Sequence, residues 1–220
     1  HLRTRRQRQM CIRDRPHPLR ELGRGEDTLW HGQHTFTQGG TYGVFAESGR
    51  GKTTALSLIA GIRKDYSGNL IIQDAPTSKW TDNQWSAWRA HSLSIVPQGL
   101  RLFDNLTALE NIQFVASRFE GSASRDQIEA WAERLGIQSL LHKKTFILSF
   151  GQRQRIALIR ALSKPYQWLL LDEPFSHLDK ANQAMVWELV LDDIQSKQAG
   201  LIITSLDSDN KLIELTIKKV

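Results

Sequence analysis

Apolar and polar positions along the chain change period several times. Thr41–Phe45 is a short β-rich run that ends in a Gly-rich turn. Thr53–Ile62 has helical spacing and stops near Gly61. Asn69–Gln73 alternates as a strand, and Ser92–Val96 is another. Thr107-x-x-Glu110 is a capping box that predicts a helix to about Arg118. Ser124-x-x-Gln127 opens the next helix, with Ile128, Trp131 and Leu135 on one face and a stop at Gly136. Gly151–Leu162 and Ala181–Gln195 are helical, while Trp168–Leu171 and Leu201–Thr204 are short, wholly apolar strands. Apolar strands alternating with helices predict an α/β fold whose sheet is buried on both faces and mostly parallel.

Between Gln98 and Ser149 the pattern holds helix signals and no clear strand. It is read as a helical subdomain over 99–164, inserted in an α/β core made of 25–98 and 165–220. Residues 1–24 are set apart by charge. They hold eight arginines and two acids, a balance of +6 that equals the net charge of the whole chain. The other 196 residues carry 21 basic and 21 acidic side chains. The globular part is thus neutral and offers no nucleic-acid surface. Residues 1–24 are expected to be a disordered or non-native basic tail, with the true first strand missing and a sheet edge exposed.

Cys11 is the single cysteine, so an intramolecular disulfide or a cysteine metal cluster is excluded. No histidine pair has metal-ligand spacing. No apolar run approaches the ~18 residues of a spanning helix. Any service to a membrane is expected to run through another chain.

The chemistry is concentrated in a few segments. Ala46-Glu47-Ser48-Gly49-Arg50-Gly51-Lys52-Thr53-Thr54 follows a strand and precedes a helix. It matches the phosphate-binding pattern G-x-x-x-x-G-K-[ST] except at its first position, where Ala46 stands. Glycines let backbone N–H groups converge on one phosphate, and the helix adds its positive end. In that pattern Lys52 reaches the outer phosphates and Thr53 offers a hydroxyl to Mg²⁺. Ala46 is tolerable if its φ is negative. Asp172 and Glu173 end an apolar strand, where α/β sheets bind ligands. Asp172 is placed to hold Mg²⁺ and Glu173 to polarise an attacking water.

Leu148-Ser149-Phe150-Gly151-Gln152, some twenty residues before the acidic pair, resembles the signature L-S-G-G-Q of ABC transporter ATPases. Val96-Pro97-Gln98 resembles their Q-loop and Ser176-His177-Leu178-Asp179 their D-loop S-A-L-D, with His177 in place of a small residue. With the phosphate loop and the acidic pair, that is five motifs in family order over about 28–220. The resemblance implies a P-loop NTPase that binds ATP and Mg²⁺ between two subunits packed head to tail. It implies that Ser149, Gly151, Gln152 and the helix they open grip the phosphate held by the other subunit. It also implies that Gln98 touches the metal or the lytic water and that Asp179 links the two sites. Trp88-Arg89, Ile95–Gln98 and Leu106–Ile112 look like the lipoprotein-release and macrolide-exporter group.

The implied partners are a second ATPase subunit and a transmembrane permease, at the cytoplasmic face of the inner membrane. Two departures bear on activity. Ser205 stands where the family places a histidine, so a subunit that binds ATP but turns it over slowly is the alternative. The region Arg20–Thr28 has no aromatic ring to stack on adenine, and Trp30 lies too near the phosphate loop. The other tryptophans, Trp80, Trp85, Trp88, Trp131, Trp168 and Trp187, are read as packing residues. Leu102 and Phe103 are candidates either for the core or for a groove that receives the permease.

Overall fold

The computed structural model describes residues 9–13, 33–206 and 216–219. Two sheets make the frame. The first is antiparallel, in the order β2-β1-β4-β5. Its strands are β1 (Gln9–Arg13), β2 (Gln33–Thr37), β4 (Asn69–Ile72) and β5 (Ala75–Pro76). The second is wholly parallel, in the order β6-β7-β8-β3-β9. Its strands are β3 (Thr41–Phe45), β6 (Leu93–Val96), β7 (Trp168–Asp172), β8 (Gly200–Ser205) and β9 (Thr216–Lys219).

The parallel sheet is covered on both sides, as its unbroken apolar strands require. Alternate residues of one strand join different apolar clusters. Leu169, Leu171, Leu201 and Ile203 pack with the helices of the 99–164 segment. Trp168, Leu170, Ile202 and Val44 face the antiparallel sheet and α1 (Lys52–Ile59). The 99–164 segment contributes α3 (Ala108–Ala116) and α4 (Arg125–Arg134), opened by the expected Thr107 and Ser124 caps, and α5 (Phe150–Leu162), opened by Ser149. These helices share one continuous cluster with the sheet and with α6 (Lys180–Lys197). The six tryptophans pack as expected: Trp85, Trp88, Trp168 and Trp187 are buried, while Trp80 and Trp131 lie against cluster edges.

Besides β2 and β9, for which no strand was read from the sequence, three elements differ from the sequence reading. Residues 9–13 are not tail but the central strand β1, paired antiparallel to both β2 and β4. Met10 is fully buried, and without β1 the edge of β4 away from β5 and the whole of β2 would lack ladder partners. The remainder of 1–24, the Arg20–Thr28 region and Trp30 lie outside the described residues. The second unforeseen element is α2 (Asp82–His91), whose Thr81–Gln84 capping box is present. It buries Trp85 and Trp88, and Trp88 Nε1 donates to the Ile59 carbonyl at 3.0 Å. The third is the hairpin β4–β5, whose two turn residues Gln73 and Asp74 both have positive φ, 53° and 63°. That is the backbone of a type I′ turn. Trp side chains also dictate two glycines. A Cβ on Gly61 would lie 2.0 Å from the Trp85 ring, and one on Gly200 2.4 Å from that of Trp168.

Candidate functional site

Register aligns the carboxyl ends of four strands. Phe45 pairs with Ser205, Thr204 with Asp172, and Val96 with Leu171. The loops leaving these ends hold the phosphate-binding pattern, the acidic pair and the Q-loop. In an open parallel sheet this edge is the ligand-binding edge.

The phosphate loop runs from Ala46 into α1. Gly49 and Gly51 have φ of 77° and 97°, values that a side chain strongly disfavours. Ala46 is not among the positive-φ residues, so its methyl group is tolerated where the pattern has glycine. Gly51 precedes α1 and supplies no side-chain cap, which leaves first-turn N–H groups of that helix to another acceptor. Glu47, Ser48, Gly49 and Arg50 are exposed, as is Thr53 at the start of α1, and Thr54 is half-buried. Glu47 and Arg50 form an exposed ion pair at 3.5 Å.

Lys52 is the centre of the assembly and only 4% exposed. Its ammonium donates to the carbonyls of Ala46 at 2.7 Å and Glu47 at 3.1 Å. It also pairs with Glu173 Oε1 at 3.2 Å. The other Glu173 oxygen accepts from Gln98 Nε2 at 3.2 Å. Glu173 sits at φ 50°, a strained value for a non-glycine residue at a site edge. Thr204 holds that backbone in place. Its hydroxyl accepts from the Glu173 N–H at 3.0 Å and donates to Asp172 Oδ1 at 2.7 Å. Ser205 ends β8 and its carbonyl accepts from the Ala46 N–H at 3.4 Å. Lys52, Gln98, Asp172, Glu173 and Ser205 are thus brought to one edge.

The signature residues are not part of that cluster. Ser149 caps α5 and forms a capping box with Gln152. The Gln152 N–H donates to Ser149 Oγ at 3.3 Å, and the Ser149 N–H to Gln152 Oε1 at 3.0 Å. Among the described residues no hydrogen bond joins Ser149, Gly151 or Gln152 to the phosphate loop. Asp179 caps α6 through the Asn182 N–H at 2.8 Å. That backbone hydrogen bond, with a second from the Asn182 side chain, holds the Asp179 carboxyl below the usual carboxylate range.

Several residues that position this site were not read from the sequence. Leu100 and Arg101, just after the Q-loop, have φ of 56° and 50°. The Arg160 guanidinium on α5 donates to both of their carbonyls, which ties the Q-loop turn to the signature helix. Buried Asn111 accepts from the Phe103 N–H at 2.8 Å and donates to the Phe103 and Thr107 carbonyls, both at 3.0 Å. Asn111 lies in the T-x-x-E-N run, and its side-chain type was a usable signal. Thr204 had only its place before Ser205.

Beyond the Q-loop lies an open groove of about 760 Å³, lined by Leu106, Glu110, Phe114, Ser122, Arg125 and Ile128 among others. Phe103 is 47% exposed and meets Phe114 edge-on with ring centroids 4.8 Å apart, whereas Leu102 packs against the core.

Residues 31–176 match the family described as "ABC transporter". The chain belongs to the ABC transporter family. It is 36% identical over 160 residues to the molybdenum import ATP-binding protein ModC of Saccharophagus degradans, covering 72% of this chain and 43% of that one. It is 32% identical to the lipoprotein-releasing system ATP-binding protein LolD of Idiomarina loihiensis, covering 74% and 73%. The ergothioneine transport ATP-binding protein EgtV of Helicobacter pylori is also 32% identical, with 76% of each chain covered. The chain spans less than half the length of the ModC relative. The dimeric structure of MJ0796, a bacterial ABC transporter cassette, superposes with a TM-score of 0.74 at 23% identity, covering 86% of this chain and 85% of that one. A post-hydrolysis dimer of the same cassette, bound to ADP and Pi, gives 0.69 at 25%, covering 83% and 81%. This ABC cassette chain therefore resembles ATP-binding proteins of several named transport systems at nearly equal identity, and the likeness singles out no cargo.

Proposed function

We propose that this ABC cassette binds MgATP at the Lys52 edge, closes on a second cassette subunit and hydrolyses the nucleotide to drive a membrane permease. The observation that carries the reading is the Lys52–Glu173–Gln98 cluster beside an uncapped, Gly-lined helix start. That helix start receives the phosphates, and Lys52 follows them. Glu47, Ser48, Gly49, Arg50, Gly51 and Thr54 supply the loop backbone around them. Glu173, released from Lys52, orients and deprotonates the lytic water while Gln98 holds that water or the metal.

The Thr53 hydroxyl, the Asp172 carboxylate and the Gln98 amide oxygen are hard oxygen donors, the set that Mg²⁺ prefers. Among the described residues no group of three acidic, His or Cys side chains is gathered. The ion would complete its shell with phosphate and water oxygens, and when bound it neutralises charge on the phosphates. Ser149, Gly151, Gln152 and Asp179 of each subunit face the nucleotide of the other.

The groove beside Phe103 and Phe114 is the surface we assign to the permease. Among the described residues no helix is long and apolar enough to cross a membrane. On this reading the chain is peripheral to the cytoplasmic side of an inner membrane. Export of lipoproteins or small molecules is the cargo class favoured by the LolD-like run Leu106–Ile112.

Ser205 favours a second reading, in which ATP closes the dimer but turnover is slow. Its side chain is shorter than an imidazole and cannot carry positive charge. MgATP hydrolysis by the purified chain separates the two. Activity lost in Glu173→Gln supports the ATPase. Negligible activity that rises in Ser205→His supports the slow subunit.

A further inference from the structure

Two departures from the family motifs, Phe150 in the signature and His177 in the D-loop, are distant in sequence and meet in space. Their ring centroids are 4.2 Å apart at an interplanar angle of 50°. The D-loop backbone lies against the first turn of α5, since a Cβ on Gly151 would come within 3.2 Å of the His177 carbonyl. The imidazole is therefore seated beside the signature helix start, exposed, on the surface that the proposed function gives to the nucleotide of a second subunit.

Its tautomer follows from a short hydrogen-bond chain. Ser176 Oγ lies 3.1 Å from the Glu173 carbonyl and 2.9 Å from His177 Nδ1. A carbonyl only accepts, so the single Ser176 proton goes to Glu173. Nδ1 must then carry a proton and donate to Ser176 Oγ. Nε2 is left as the outward-acting atom, and it has no protein partner among the described residues. Phe150 on one side and Ser176 on the other hold the ring.

We infer that His177 is a catalytic residue acting in trans. With Nδ1 donating to Ser176, the imidazolium form of the ring donates from Nε2 to the terminal phosphate held by the other subunit's Lys52. It thereby supplies from the D-loop the imidazole that Ser205 does not supply from β8. The inference rests on the ATPase reading above. No covalent step is involved.

The test compares MgATP turnover of the parent with His177→Ala, then with an equimolar mixture of His177→Ala and Glu173→Gln chains. His177→Ala is expected to lower kcat ~10²–10³-fold with KM little changed, the loss typical of one transition-state donor. Its melting temperature should match the parent's, because the side chain is exposed. In the mixed dimer one site pairs an intact Glu173 with an intact His177 across the interface. Random pairing then returns about a quarter of the parental rate. Were His177 to act on its own subunit's nucleotide, neither site of the mixed dimer would be complete. Parental kcat in His177→Ala, or no recovery in the mixture, overturns the inference while leaving the ATPase reading intact. A parent that does not turn over ATP overturns the ATPase reading first, and the inference with it.

Discussion

Lys52 has three N–H donors, and they reach two carbonyls and the Glu173 carboxylate. On the proposed reading, a phosphate competes for these donors with their present acceptors, the charged Glu173 among them. Removing the negative charge at 173 should tighten ATP binding by about tenfold, roughly 1.4 kcal/mol, while stopping turnover. Calorimetric titration of Glu173→Gln against the parent measures the first effect. An unchanged affinity would mean that the ion pair imposes no penalty on binding. A second residue-scale effect lies far from the site. Lys164 donates to the Arg89 and Ala90 carbonyls at 3.0 and 2.8 Å, and burial pushes its ammonium down from 10.5 to about 8. Between those two values the unfolded chain holds more protons than the folded one, so stability rises as pH rises through the window. Urea midpoints at pH 8 and pH 10 should show the parent gaining relative to Lys164→Met. An equal response of both chains would remove Lys164 as the cause.

Elements in this cassette are held by side chains that satisfy backbone groups in loops. Asn111 on α3 is fully buried and bonds Phe103 and Thr107 through both ends of its amide. Asn111→Ala strands the Phe103 N–H, at a cost of about 1–3 kcal/mol. Because Phe103 follows the Q-loop, the same change should loosen that turn. Chemical denaturation reads the first effect, and amide exchange over residues 99–106 reads the second. The β4–β5 hairpin offers the opposite experiment. Gln73 and Asp74 occupy type I′ positions that Asn-Gly fits better. The double change Gln73→Asn, Asp74→Gly should raise stability by about 1 kcal/mol. A lower melting temperature would contradict the turn assignment.

At the scale of the whole molecule, one copy carries two half-sites. The Lys52 cluster and the Ser149 helix start are both present, and among the described residues no hydrogen bond connects the signature residues to the phosphate loop. On the proposed reading, that separation calls for a dimer whose closure needs nucleotide. Size-exclusion chromatography of Glu173→Gln should show a monomer without nucleotide and a dimer with ATP. ADP should fail to support it, since the terminal phosphate is the group both half-sites share. A dimer that ignores nucleotide would argue for an interface elsewhere.

The local geometry of this cassette was readable from residues alone. Glycine at positive φ, the lysine and threonine after it, and two acids ending an apolar strand are short-range patterns with short-range causes. The helix caps at Thr107 and Ser124 were readable for the same reason, because a cap is a contact across three residues. The family followed from the order of those patterns. Tertiary structure decided what depends on distant pairing. Gln9–Arg13 became the middle strand of a sheet only because β2 and β4 both lacked a neighbour there. Thr204 acquired its part from the register of β8 against β7, which no spacing within β8 encodes. Phe150 and His177 each look like an isolated departure in the sequence. They form one ring pair because α5 and the D-loop pack together.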